Sequence, residues 1–246
     1  MDLMKMNIKN IQGDVTVSAC PVTLGSTPSS SCCTRALSQR ELTWVDLINR
    51  YPSPRECLTA FVVSSAAEVI AGVKPANLIR IMKRALPCGR CMYHLWHEYG
   101  EEVLQDAAIQ VVTLRSDTDG VSLLFYRPEL LTKRLSSRTM QSFLTGCGYP
   151  QPLTIDSAMA HMQKVFQVEE SPNEIGMFLG YPAKDVRGFI AAKSRPWQGR
   201  CLWRVYGPPQ RSLRLYQRFS AERQAVNQRM MSGMANDSPA ALLLAS

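Results

Sequence analysis

The chain has 246 residues, 46% hydrophobic and 20% charged, with a formal net charge of +8; this is ordinary for a soluble globular protein of one large domain, or one domain with appendages. No apolar run approaches the ~20 residues that span a bilayer, and the N-terminal MDLMKMNIKN has lysines but no apolar h-region after them. Composition therefore predicts no membrane span and no secretory signal, and points to the cytoplasm. The eight cysteines (20, 32, 33, 57, 88, 91, 147 and 201) are then expected to be thiols or ligands, not a disulfide framework.

The positive charge is unevenly placed. Residues 184–246 hold 11 Lys/Arg against 3 Asp/Glu, whereas residues 1–183 hold 17 of each. An Arg-rich solvated helix face is the plainer reading; attraction of phosphate-bearing partners, nucleic acid included, is the alternative.

In chain order, residues 1–38 lack a sustained period and include SACPVTLGSTPSSSCCT, which predicts a poorly ordered leader. Leu42, Val45, Leu47 and Ile48 give a short amphipathic helix over Gln39–Arg50. Ser53-Pro54-Arg55-Glu56 has the form of a capping box with Pro at N1, opening a buried helix through CLTAFVVSSAAEVIA to Gly72. Leu78, Ile79 and Met82 suggest a helix over Pro75–Arg84. Another is expected over Met92–Ala108, with Leu95, Trp96, Tyr99, Val103 and Leu104 inward.

The period then changes to two. Ile109–Arg115 and Gly120–Arg127, separated by Ser116-Asp117-Thr118-Asp119, predict a β-hairpin. Helices follow over Pro128–Leu135, Ser137–Thr145 and Ile155–Phe166. The stretch Glu174–Ile190 (EIGMFLGYPAKDVRGFI) is read as two short helices at a corner. The first, Pro172–Leu179, stops at Gly180; the second has Pro182 at N1 and Asp185 in its first turn. Gly176, Gly180 and Gly188 are expected to be structural. Arg200–Tyr206 reads as a third strand. A last helix over Gln210–Met231 would bury Leu213, Tyr216 and Phe219 and expose Arg211, Arg214, Arg218 and Arg223, before a frayed tail over 233–246. The expected fold is α+β: a helix-rich single domain over 39–232, around a small, mainly antiparallel sheet of the hairpin plus one C-terminal strand.

EIGMFLGYPAKDVRGFI, followed by WRVYG at Trp203–Gly207, resembles the signature of an uncharacterised bacterial domain-of-unknown-function family. The resemblance extends to AGVKPANL (Ala71–Leu78), YRPELL and the GYP at Gly148–Pro150. It implies no established activity, and it carries an association with genes of ferrous-iron uptake and flavodoxin. Asn173 stands where the family pattern has His, Arg204 where it has Lys, and Ala66 where Cys is common. The cysteines usual before the last strand are reduced to Cys201, so any metal those positions hold in relatives would be missing here.

Two sets of residues could carry chemistry. Lys74, Asn77, Glu174, Tyr181, Asp185 and Arg204 are the polar residues inside the family motifs, and acid–base pairs beside glycines suit an anionic ligand. The plainer reading makes Asp185 and Glu174 helix-start residues. Cys88-Gly89-Arg90-Cys91 with His94 has the spacing of a dithiol or half a metal site, but ligands every three residues on one helix spiral around its axis instead of converging. No Walker A loop, G-x-G-x-x-G, G-x-S-x-G or H-E-x-x-H is present. The expectation is a non-catalytic module binding a small ligand or protein through Glu174–Gly188, with no cofactor specified. The alternatives are a metal- or redox-linked accessory using Cys88 and Cys91, and nucleic-acid binding by the basic C-terminal helix.

Overall fold

The computed structural model describes residues 42, 44–47, 49–86, 88–191, 198–233 and 238–244; the leader expected over 1–38 lies outside them. Three helical pieces come first: Trp44–Leu47 (α1), Pro54–Ser65 (α2) and Ala67–Ile70 (α3). The strand Ala76–Met82 (β1), the helix Met92–Leu104 (α4) and the strands Gln110–Asp117 (β2) and Gly120–Tyr126 (β3) follow. Next come Pro128–Leu135 (α5), Arg138–Gly146 (α6), Ile155–Val168 (α7), Ile175–Phe178 (α8) and Ala183–Ile190 (α9). A short hairpin, Gly199–Arg200 (β4) and Arg204–Val205 (β5), precedes the long helix Gln210–Ser232 (α10) and the helix Pro239–Leu244 (α11).

The fold is α+β, and β3 is its axis. Every residue of GVSLLFY is buried, because β3 lies between β1 and β2 in an antiparallel sheet of order β1-β3-β2 and both faces of that sheet are covered. Ala76 pairs with Tyr126 and Met82 with Gly120 across β1–β3. The β2–β3 ladder is interrupted by a bulge between Thr113 and Arg115. Side chains alternate between faces along a strand. Ile79, Ile81, Val121, Leu123 and Phe125 therefore join α2, α3, α4 and the end of α10 in one core. Leu78, Leu114, Leu124 and Tyr126 join α5 to α9, Trp203 and Phe219 in the other. Helices thus pack on both faces of a three-stranded antiparallel sheet.

Several local expectations are corrected. Pro75–Arg84 is not helical: it contains β1, the third strand of the main sheet. Leu78 and Ile79 point to opposite faces, and both faces are buried, so the strand lacks the polar alternation that would have marked it. The Arg200–Tyr206 strand instead forms a separate two-stranded hairpin, β4–β5. Pro54 does open α2, but Ser53 makes no side-chain capping bond, and the expected long helix is broken at Ala66 before ending near Gly72, whose φ is +68°. Pro182 is the residue before α9, not its first residue. Leu213 and Tyr216 are only half-buried, and Arg223 is not solvated: it reaches inward to Glu68. The tail expected to fray contains α11, whose Leu242 and Leu243 are buried in the core that includes α2.

Candidate functional site

The glycine-rich corner between α8 and α9 is held by backbone proximity. Gly180 has φ +86°, and a Cβ there would lie 2.8 Å from Pro75 Cδ; only glycine tolerates both conditions easily. A Cβ on Gly188 would come within 2.4 Å of Tyr206 Cγ, and one on Gly176 within 3.0 Å of Val186 Cγ2. Arg134 on α5 clamps the corner by donating to the carbonyls of Met177 and Tyr181. Burial, with Arg211 adding to it, pushes the Arg134 guanidinium down to about 10, so it remains a cation at neutral pH.

Asp185 is the polar hub of this corner. It is 2% exposed. Its Oδ2 accepts from Trp203 Nε1 at 2.8 Å and Ser212 Oγ at 2.6 Å. Its Oδ1 accepts from the Tyr206 amide at 2.9 Å and Lys184 Nζ at 2.7 Å. Lys184 also donates to the Tyr206 carbonyl at 2.7 Å. One carboxylate thus joins α9, the β5 end of the hairpin and the start of α10. Charge-assisted bonds of this kind are the stronger ones, so Asp185 does far more than complement a helix dipole.

A second polar cluster lies beyond an aromatic bridge. Tyr181 stacks on Trp203 with centroids 4.3 Å apart, and Trp203 meets Phe219 edge-on at 6.4 Å. Lys74 Nζ lies 5.8 Å from the Tyr181 ring centre and 5.4 Å from that of Phe219, within cation–π range. It donates to Asn77 Oδ1 at 2.7 Å, and Asn77 Nδ2 donates to the Ser65 carbonyl. Glu68 and Lys74 are both fully buried; Arg223 from α10 donates through Nε and an NH2 to Glu68 Oε1. Burial pushes Lys74 down to about 8, with Glu68 resisting and Arg223 assisting. Burial alone would raise the Glu68 carboxyl, but Arg223 and Lys74 outweigh it and hold Glu68 below the ordinary carboxylate range.

The structure therefore brings Lys74, Asn77 and Tyr181 together and links them through Trp203 to Asp185. Glu174 and Arg204 lie apart from this group. Glu174 is half-buried, with His161 in electrostatic reach; burial raises the Tyr149 hydroxyl and the Cys147 thiol, and the Glu174 charge adds to both rises. Burial pushes the Glu174 carboxyl up, with Glu169 adding to the rise. The Arg204 guanidinium lies 5.6 Å from the Phe189 ring centre. Cys88 is exposed, Cys91 half-buried, and the exposed His94 ring meets Tyr93 edge-on at 5.8 Å. Among the described residues no group of three or more His, Cys, Asp or Glu side chains is placed to hold a metal ion.

Glu68, Arg134, Arg223, Trp203 and Ser212 are site-forming residues that sequence reasoning did not single out. Glu68 alone left a signal: a lone acid inside an otherwise apolar helix needs a buried partner. An open groove of about 430 Å³ lies between β2 and α7, lined by Thr113, Arg115, Ser116, Gln163, Lys164 and Gln167. None of the family-motif residues lines it.

Lys74, Asn77, Tyr181, Trp203 and Asp185, all within the signature motifs, thus form one connected set, with Glu174 and Arg204 outside it. The family described as Protein of unknown function (DUF3793) matches residues 62–238. The chain belongs to that family. Its matched span begins inside α2 and ends before α11, so both polar clusters fall within it. No curated protein and no solved structure gives a significant match. Among the described residues no helix is long and apolar enough to cross a membrane.

Proposed function

We propose that the chain is a non-catalytic binding module that holds an anionic partner, a small ligand or a protein, on the outer layer of the Glu174–Gly188 region. The inner layer of that region (Gly176, Tyr181, Asp185 and Gly188) is buried and is committed to joining α8, α9, the hairpin and α10. The outer layer is basic. Arg187 on α9, Arg200 on β4 and Arg211, Arg214 and Arg218 on α10 are exposed, with Lys184 and Arg204 half-buried among these elements.

The observation that carries the reading is the fate of the acids. Residues 184–246 contain 11 Lys/Arg and 3 Asp/Glu, and Asp185 is turned inward onto its hydrogen-bond donors. Lys184 pairs with Asp185 and Arg223 with Glu68, so the exposed positive charge of this layer is that of Arg187, Arg200, Arg211, Arg214 and Arg218. Arg200 and Arg204 are also register partners across the hairpin, which places two basic residues side by side.

Binding of full-length protein to a labelled acidic peptide, inorganic phosphate and mixed-sequence RNA tests this. The acidic peptide should bind at low salt, weaken as salt rises, and bind roughly tenfold or more weakly to Arg187→Ala/Arg211→Ala with an unchanged melting temperature. No binding to any probe at low salt would sink the reading. Submicromolar RNA binding that survives about 0.15 M salt would identify the partner as nucleic acid. Arg187 over the Phe143 ring at 5.9 Å and Arg204 over Phe189 are the contacts in favour of that outcome.

A further inference from the structure

Three cysteines lie on two segments that Arg90 ties together, remote in sequence from the basic surface. Cys57 lies in the first turn of α2 and is 2% exposed. Cys88 is exposed and Cys91, the residue preceding α4, is half-buried. The Leu86 amide donates to the Arg90 carbonyl at 2.7 Å and the Gly89 amide to the Leu86 carbonyl at 2.8 Å, folding residues 88–90 back on Leu86. Gly89 takes the left-handed conformation this turn requires, with φ +80° and open space around it. The Arg90 side chain then pins the turn to the approach to α2, donating to the Tyr51 and Pro52 carbonyls at 3.0 and 2.9 Å.

From this geometry we infer that Cys88 and Cys91 are a redox-active dithiol that exchanges reversibly with low-molecular-weight disulfides, with Cys57 held behind it as a buried thiol. Cys88 lies in the turn that closes on Leu86 and Cys91 just past it, three residues apart, the C-x-x-C spacing of redox dithiols. The exposed Cys88 is the sulfur that meets solvent. As thiolate it attacks one sulfur of the oxidant disulfide, forming a mixed disulfide and releasing one thiolate. Cys91, after losing its proton to solvent, attacks Cys88 Sγ, closes the Cys88–Cys91 bond and expels the second thiolate. Two protein thiols are oxidised, one small disulfide is reduced to two thiols, and the reverse steps restore the dithiol.

The surroundings favour exchange over metal binding. His94 faces the Tyr93 ring, and His97 packs on the same ring with centroids 4.4 Å apart, so neither imidazole supplies a third ligand at this corner. Cys57 is kept out of the exchange by its surroundings. Burial raises its thiol, Arg90 opposes the rise, and the neighbouring Cys88 sulfur adds to it. A protonated, enclosed thiol is a poor nucleophile.

Reduced full-length protein equilibrated in glutathione buffers, quenched by alkylation and mapped by peptide mass tests the inference. The expected product is a reversible Cys88–Cys91 disulfide, with Cys57 alkylated only after denaturation. The folded protein should react roughly tenfold or more faster than the urea-unfolded chain at the same pH, and Cys91→Ser, melting as the wild type does, should accumulate at least roughly tenfold more glutathione on Cys88, because no resolving thiol remains. A Cys57–Cys88 link, an unresolved adduct in the wild type, or exchange no faster than in the unfolded chain would each overturn it. So would stoichiometric zinc that shields both thiols.

Discussion

A carboxylate that accepts at once from an indole, a hydroxyl, a main-chain amide and an ammonium group has no neutral equivalent, and that is the situation of Asp185. In Asp185→Asn one oxygen becomes an amide donor facing groups that are themselves donors. The expected loss is about 2–4 kcal/mol, the range for removing charge-assisted bonds and leaving buried donors unsatisfied. Urea unfolding measures it, with Glu174→Gln as the contrast. Burial already favours the neutral form of Glu174, so that variant should lose less than about 1 kcal/mol. Equal losses would show that Asp185 is not the hub. The sequence placed Asp185 correctly in the first turn of a helix. It could not show the donors, because the Tyr206 amide and Ser212 are 21 and 27 residues away in the chain. The glycines were easier to read, since Gly180 and Gly188 are demanded by contacts that only a missing Cβ permits.

Among the elements, the hairpin β2–β3 and the helices α4 to α7 follow from local pattern and capping residues. Ser137, for example, accepts from the Met140 amide, and Thr154 and Ser157 form a reciprocal box. β1 and α11 do not follow. In β1 both faces are buried, so Leu78, Ile79 and Met82 fall at spacings that also suit a helix. In α11 the short apolar run PAALLL has no period long enough to mark it, and its structure comes from docking: Leu242 and Leu243 are 1% and 2% exposed against the core that includes α2. Burying one leucine contributes roughly 1.5–3 kcal/mol, so ending the chain after Gly233 should cost about 3 kcal/mol or more. Thermal and urea unfolding of the truncated protein would show it. A loss below about 1 kcal/mol would mean that α11 is not part of the cooperative unit.

At the scale of the molecule, two cores on opposite faces of one sheet have to be kept in register. The Glu68–Arg223–Lys74 cluster lies where they meet: Glu68 on α3 belongs with the first core, Arg223 comes from the long α10, and Lys74 faces Tyr181 and Phe219 of the second. Lys74 titrates at about 8 in the fold against an ordinary value of 10.5. Between those values the folded state binds fewer protons than the unfolded state. For this group alone, stability therefore rises with pH across the window; the penalty of burying its charge is complete below it and gone above it. Glu68 offsets that penalty while Lys74 is charged. Glu68→Gln leaves Lys74 and Arg223 without their counter-charge, and breaking a buried pair in this way costs about 3–5 kcal/mol near neutrality. Well above about 8 Lys74 is neutral in the fold of both proteins, and what remains is the lost Glu68–Arg223 contact. The difference between wild type and Glu68→Gln should then shrink by about 1 kcal/mol or more between about pH 7 and about pH 9.5. Urea unfolding of both proteins at the two pH values is the measurement. A difference that stays constant would separate Lys74 from the Glu68–Arg223 ion pair.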